Sequence, residues 1–288
     1  MTASNPRGDE PRVPLGLPAD PRTGGSARLV PPLRLLPPVR HRRPDPEPAA
    51  LVLVAHGSRD PRALTTVRAL AGRVRALRPG LPVHLGHIEL NAPLLPDTLA
   101  ALGPAPAVLV PLLLGRGHHV RQDIPAMAAA APVRARVAAP LGPHPLLART
   151  LHDRLLEAGW PAAMDAAARR AGAVVLAAAG SRDPDSTVDT RRTARLLADR
   201  LGVPVVPAYA SAAAPSVPAA LRALAARGRH RVAVASYFTA PGRFAAQCAA
   251  QAPWLASAPL GAHEAMARLV LLRYDRARAS RGAELAPA

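Results

Sequence analysis

The sequence predicts an α/β chain of two similar lobes, each a mainly parallel four-stranded sheet flanked by helices, with the active site in the cleft between them. Three observations carry this. From Ala49 onward short apolar runs alternate with longer amphipathic stretches, the pattern of βαβ units. LVLVAHGSRDPRALTTVRALAGRV, beginning at Leu51, is rewritten as AVVLAAAGSRDPDSTVDTRRTARL, beginning at Ala173. The later segments then recur in the same order. A repeat of this length is a duplicated lobe, because solenoid units are typically about 20–50 residues.

Residues 1–48 are rich in Pro, Arg and Gly and lack apolar periodicity, so a disordered leader is expected there. AALVLVA reads as a buried strand. Asp60 and Pro61 supply an N-cap and a first-turn proline for the helix that follows, which places His56 at the carboxyl end of the strand. PVHLGHIEL gives a second strand ending near Glu89, with a helix near PDTLAAL. AVLVPLLL gives a third strand, followed by the Gly-rich loop GRGHHVRQ and a second cap-like start at Asp123 and Pro125. VRARVAAP is a fourth strand and HPLLARTLHDRLLEAG a closing helix. The predicted plan is a leader over 1–48, a first lobe over 49–160, a connection over 161–171, a second lobe over 172–280 and a flexible tail over 281–288.

The formal charge of +18 would ordinarily point to nucleic acid or a membrane surface. Three features weigh against it. All 37 basic residues are Arg, as a GC-rich genome imposes, the aromatic content is 2%, and the arginines are spread along the chain. No apolar run is long enough to span a bilayer and no secretory signal opens the chain, so a cytoplasmic protein is expected. Cys248 is the sole cysteine, which excludes an internal disulfide and leaves His, Asp or Glu to hold any metal.

In parallel α/β sheets ligands collect beyond the carboxyl ends of the strands. His56, Glu89 and His119 all fall there. Two imidazoles and a carboxylate suit a divalent first-row metal and would leave coordination positions open for a substrate. In the second repeat His56 becomes Ala179, Glu89 becomes Ser211 and His119 becomes Phe244, whereas Gly57, Ser58, Arg59, Pro93 and Gly117 keep their counterparts. A shared structural demand would have preserved both copies, so the pattern reads as one active lobe and one retired lobe. His84, His87, His144, His152, His230 and His263 read as solvent, core or connecting residues. Ser58 lacks the Gly-x-Ser-x-Gly surroundings of a nucleophile.

VLVAHGSRDP, the strand ending in IELNAP and VPLLLGRGHHVRQDIP resemble the sirohydrochlorin chelatases, the class II chelatase family, over about residues 50 to 280. The long two-lobe form of that family is the nearer likeness, with two chelatase-like lobes. The resemblance implies that His56 and His119 bind the metal, and that His56 and Glu89 are catalytic. His119 is taken over His118 because it alone keeps the spacing to Val120, Asp123 and Pro125. Glu89, Leu114, Gly115, Arg116, Gly117 and His118 would contact the substrate.

The implied activity is insertion of Fe2+ or Co2+ into sirohydrochlorin with release of two protons, in siroheme or cobalamin biosynthesis. The metal is substrate, and no permanently bound cofactor is expected. Sirohydrochlorin is an acidic tetrapyrrole, for which arginines are apt partners. Nucleic acid and membrane are not expected partners, and the expected state is a monomer with an internal pseudo-dimer. The alternatives are a non-catalytic tetrapyrrole or metal carrier and a basic nucleic-acid-binding protein.

Overall fold

The computed structural model describes residues 49–280; the expected leader over 1–48 and tail over 281–288 lie outside the described residues. β1 (Ala50–Ala55) is apolar and buried at every position, as a central parallel strand covered on both faces must be. It is followed by α1 (Pro61–Leu77), β2 (Val83–His87), α2 (Leu95–Ala101) and β3 (Ala107–Pro111). Next come a π-helical turn over His119–Asp123, α3 (Ile124–Ala129), the short strand β4 (Ala135–Val137) and α4 (Pro145–Glu157). The sheet order is β2-β1-β3-β4, with parallel pairing.

A short helix, α5 (Ala166–Ala171), capped by Asp165, occupies most of the expected connection. The order then repeats through β5 (Gly172–Ala178), α6 (Pro184–Leu201), β6 (Val205–Tyr209) and α7 (Val217–Ala225). It closes with β7 (Arg231–Tyr237), α8 (Arg243–Ala249), the two-residue β8 (Leu255–Ala256) and α9 (Glu264–Ala279). This second sheet is ordered β6-β5-β7-β8, also parallel.

The alternation of side chains along each strand divides the core. Val52 and Val54 face α2 and α3, while Leu51 and Leu53 face a central cluster that runs continuously into the second lobe. That cluster takes its helical residues from α1, α4, α6 and α9, and holds the fully buried Leu151, Leu197 and Tyr274. α1 packs on α9 and α4 on α6, so each lobe's closing helix lies against the other lobe's first helix. Fully burying one such leucine contributes about 1.5–3 kcal/mol, and the lobes share many of them. They are one packed unit. Tyr274 donates to the Ala49 carbonyl at 2.5 Å, and Arg78 pairs with Asp275 at 2.5 and 2.8 Å, both across the lobe boundary.

The repeated Gly-Ser-Arg-Asp-Pro frame has the same structural task in both copies. Gly57 has φ +105°, and a Cβ there would lie 1.9 Å from the Glu89 carbonyl oxygen; Gly180 has φ +91° and would meet the Ser211 oxygen at 1.8 Å. Only glycine fits either turn. Ser58 and Ser181 accept from the amides of Asp60 and Asp183, each at 3.1 Å. Asp60 and Asp183 cap α1 and α6, and the following prolines occupy the first helical position.

Candidate metal and substrate site

The first three strands deliver three loops to one end of the first sheet. Gly57 lets the loop after β2 come close enough for the Glu89 amide to donate to the His56 carbonyl at 3.0 Å. The side chains follow, and His56 Nδ1 stands 3.5 Å from Glu89 Oε1. Glu89 lies two residues past β2 and not within it, because β2 ends at His87. The loop after β3 brings His119 against His56, with ring centroids 4.7 Å apart and ring planes at 86°.

Asp123 does not act as the cap expected from sequence. No side-chain cap bond forms at α3, because the backbone winds directly from the π-helical turn into that helix. The carboxylate instead meets His119 Nδ1 at 2.5 Å. A carboxylate on Nδ1 fixes the ring's orientation and leaves Nε2 as the nitrogen presented outward. Spacing of i to i+4 on one helical turn is the signal that could have revealed this pair.

His118 also touches Asp123, at 3.4 Å, but its side chain is 67% exposed against 35% for His119, and its ring is 6.2 Å from that of His119. Among the described residues no three His, Cys, Asp or Glu side chains form a ready coordination cluster. What the loops assemble is an open pair of imidazoles with Glu89 beside one of them. An open pair suits a metal that must be passed on, since a closed four-ligand site would retain it.

Leu114, Gly115, Arg116 and Gly117 run from β3 to the histidines along the second lobe. Tyr237 donates to the Leu114 carbonyl at 3.0 Å, and burial pushes its hydroxyl well above the ordinary range. A Cβ on Gly117 would stand 3.5 Å from Ser181 Oγ, and one on Gly242 3.8 Å from Ser58 Oγ, so each lobe's glycine loop faces the other lobe's Gly-Ser turn. The candidate site therefore faces the second lobe.

The Arg116 guanidinium is engaged by Asp189, through Nη2 at 2.7 Å and Nε at 3.0 Å, and also reaches Asp185 at 3.3 Å. At the equivalent position of the second lobe stand Ala179, Ser211 and Phe244, with Arg243 over the Phe244 ring at 4.9 Å.

Three of the other described histidines have structural places. His87 is buried with Nδ1 3.1 Å from the Pro93 carbonyl. His144 and His263 cap α4 and α9, accepting from Leu146 and Ala265. Sequence reading assigned neither histidine this role, although APLGPH and APLGAH each stand before a helix.

Two packed lobes with parallel sheets, and paired imidazoles in only one, define a two-lobe α/β protein with one candidate metal site in its inter-lobe cleft. Residues 50–158 and 173–277 both match the CbiX family model, and the chain belongs to this family, the sirohydrochlorin chelatases in their long two-lobe form.

The sirohydrochlorin cobaltochelatase of Methanococcus maripaludis is 35% identical over 79 residues, which cover 26% of this chain and 55% of that protein. The chain thus spans about half the length of that relative. The Methanococcoides burtonii sirohydrochlorin cobaltochelatase is 26% identical over 127 residues, covering 38% and 97%. SirB from Bacillus subtilis with Fe3+ shares the fold at TM-score 0.65 and 24% identity, covering 81% of this chain and 97% of that one. The CbiX structure described as the terminal enzyme of siroheme biosynthesis in denitrifying bacteria does so at TM-score 0.59 and 22% identity, covering 79% and 99%. No helix among the described residues is long and apolar enough to cross a membrane.

Proposed function

We propose that the chain inserts a divalent metal, Fe2+ or Co2+, into sirohydrochlorin, forming the metallated macrocycle and releasing two protons. One observation carries the reading: His56 and His119, absent from the second copy, stand ring to ring in the inter-lobe cleft. Names of the relatives support the same substrate class.

In this mechanism His56 and His119 present a partly dehydrated metal through nitrogens not used by Glu89 and Asp123. The remaining coordination positions are taken over by the pyrrole nitrogens of the substrate. Departing pyrrole protons need an acceptor close to the metal. His56 accepts one once the metal has passed from it to the macrocycle, the Glu89 carboxylate 3.5 Å away accepts the other, and both protons then leave to solvent. The main chain of Leu114, Gly115, Arg116 and Gly117, together with the His118 ring, borders the macrocycle.

We assign the reaction to the cytoplasm and to a monomer whose two lobes act as an internal pseudo-dimer, with metal as substrate and no resident cofactor. Iron is the preferred metal, since siroheme is the more widely required product, and availability rather than affinity order decides between iron and cobalt. Incubating the purified chain with sirohydrochlorin and either Fe2+ or Co2+ tests this. Release of metallated product over many turnovers, followed by its absorption spectrum, supports the reading. A single stoichiometric binding event without release contradicts it and would make the chain a carrier.

A further inference from the structure

The loop that carries His118 and His119 is fastened to the other lobe on both sides of the histidines. Before them, Thr239 donates to the Leu112 carbonyl at 2.9 Å and Tyr237 to the Leu114 carbonyl at 3.0 Å. Asp189 then takes the Arg116 guanidinium and also accepts from the Arg116 amide at 3.0 Å, so it fixes backbone as well as side chain. After them, Arg121 pairs with Asp183 at 3.0 Å and with Asp185.

Asp189 is 1% exposed. Burial alone would raise its carboxyl, but the hydrogen bonds from the Arg116 side chain and backbone outweigh this and hold it below the usual carboxylate range. A buried carboxylate is tolerated when it is paired and hydrogen-bonded in this way.

Comparison of the two repeats shows that this fastening is one-sided. On α1, the positions equivalent to Asp185 and Asp189 are Arg62 and Thr66. In the second lobe's loop, the positions equivalent to Arg116 and Arg121 are Pro241 and Ala246. The lobes are otherwise related symmetrically here, with Gly117 opposite Ser181 and Gly242 opposite Ser58. Acid on one side and base on the other are present only where the spanned loop holds His119. Packing needs common to both lobes would have produced both pairs.

We propose that Asp189, assisted by Asp185, is a positioning residue for metal transfer: the second lobe holds the His118–His119 loop in register with His56. The inference rests on the chelatase reading above. It gives the second lobe, which lacks the paired imidazoles, a part in the chemistry. A displacement of about 1 Å at a reacting group can cost on the order of 100-fold in rate, so loss of the fastening is read in turnover.

The test compares the full chain with Asp189→Asn, with the double variant Asp185→Asn/Arg121→Gln, and with Thr66→Ala as the control from the unfastened side. Each is titrated with Co2+ alone, followed by visible absorption, and each is assayed for metal insertion. Asp189→Asn is expected to lose about 10- to 100-fold in kcat, with KM for sirohydrochlorin changed less than about threefold, and to weaken cobalt binding about tenfold. The Asp185/Arg121 pair is half-exposed, so that variant keeps its melting temperature while moving in the same direction by a smaller factor. Thr66→Ala stays within about twofold of wild type. An active wild type with both loop-side variants within twofold of it in kcat and cobalt affinity would overturn the positioning role alone. The same holds for losses confined to KM. A wild type that neither binds cobalt nor inserts metal would overturn the chelatase reading first, and this inference with it.

Discussion

The rings of His56 and His119 meet edge to face at 4.7 Å, although they belong to loops after different strands of the first sheet. Nothing in local sequence brings them together; the parallel sheet does, by delivering β1 and β3 side by side to the same edge. If this contact is where metal is presented, His56→Ala and His119→Ala each reduce metal insertion by at least about 100-fold, since each removes a ligand and the former also a base. Both side chains lie outside the buried core, so melting temperatures should barely change. His118→Ala should be several-fold milder. A more damaging His118→Ala would put the wrong ring of the pair against the metal.

Asp123 holds His119 at 2.5 Å and supplies no cap. Asp123→Asn should therefore lower cobalt affinity and turnover by about 10- to 100-fold, the usual cost of losing a carboxylate that orients a metal-binding imidazole. Circular dichroism should show the helix content retained. Loss of helix with unchanged affinity would mean that the carboxylate serves the fold.

The glycine at the head of each frame is required by backbone, not by chemistry. Gly180→Ala should destabilise the protein by about 1–3 kcal/mol, because it combines φ +91° with a Cβ pressed on the Ser211 carbonyl, although Ala179 stands before it where the first lobe has His56. Gly57→Ala should cost a similar amount and also disturb turnover, since its clash is with the Glu89 carbonyl. Chemical denaturation of both variants measures this. A neutral Gly180→Ala would undo the structural explanation of the shared frame.

Acid should weaken the fold through half-buried histidines. Burial, and then the nearby Arg273 and Arg276, lower the pKa of His144; burial, and then Arg75, lower that of His84. A depressed folded value means the unfolded chain takes the proton first. Stability is therefore whole above the unfolded value of about 6.5 and falls as pH drops below it toward the folded values. Protonation would also remove the Nδ1 acceptor with which His144 caps α4. Asparagine keeps an acceptor and does not titrate, so His144→Asn should flatten the fall in melting temperature between about pH 7 and pH 5. An unchanged slope would assign the acid sensitivity elsewhere.

Much of this architecture was legible because the chain states it twice. Apolar runs marked the long central strands, and Asp-Pro marked the starts of α1 and α6. The repeat separated frame from chemistry at His56, Glu89 and His119. The edge strands were less visible: β8 pairs through just Leu255 and Ala256, too few residues to show a period. The packing of α1 on α9 and α4 on α6 could not be read, because it depends on how two amphipathic surfaces meet across a long separation in sequence. Arg116 illustrates the same limit, since its partner Asp189 lies in the other repeat. Asp123 reads as a helix cap but orients His119, because a π-helical turn and a capped helix start look alike in sequence.

The central claim is that one lobe binds metal for both. Titrating the intact chain with Co2+, followed by visible absorption, measures it directly, alongside His56→Ala and the double variant Ala179→His/Phe244→His. The account predicts one cobalt site per chain, lost in His56→Ala and not duplicated in the double variant, where Ser211 still stands in place of Glu89. Two equivalent sites in the wild type, or one that survives His56→Ala, would contradict it.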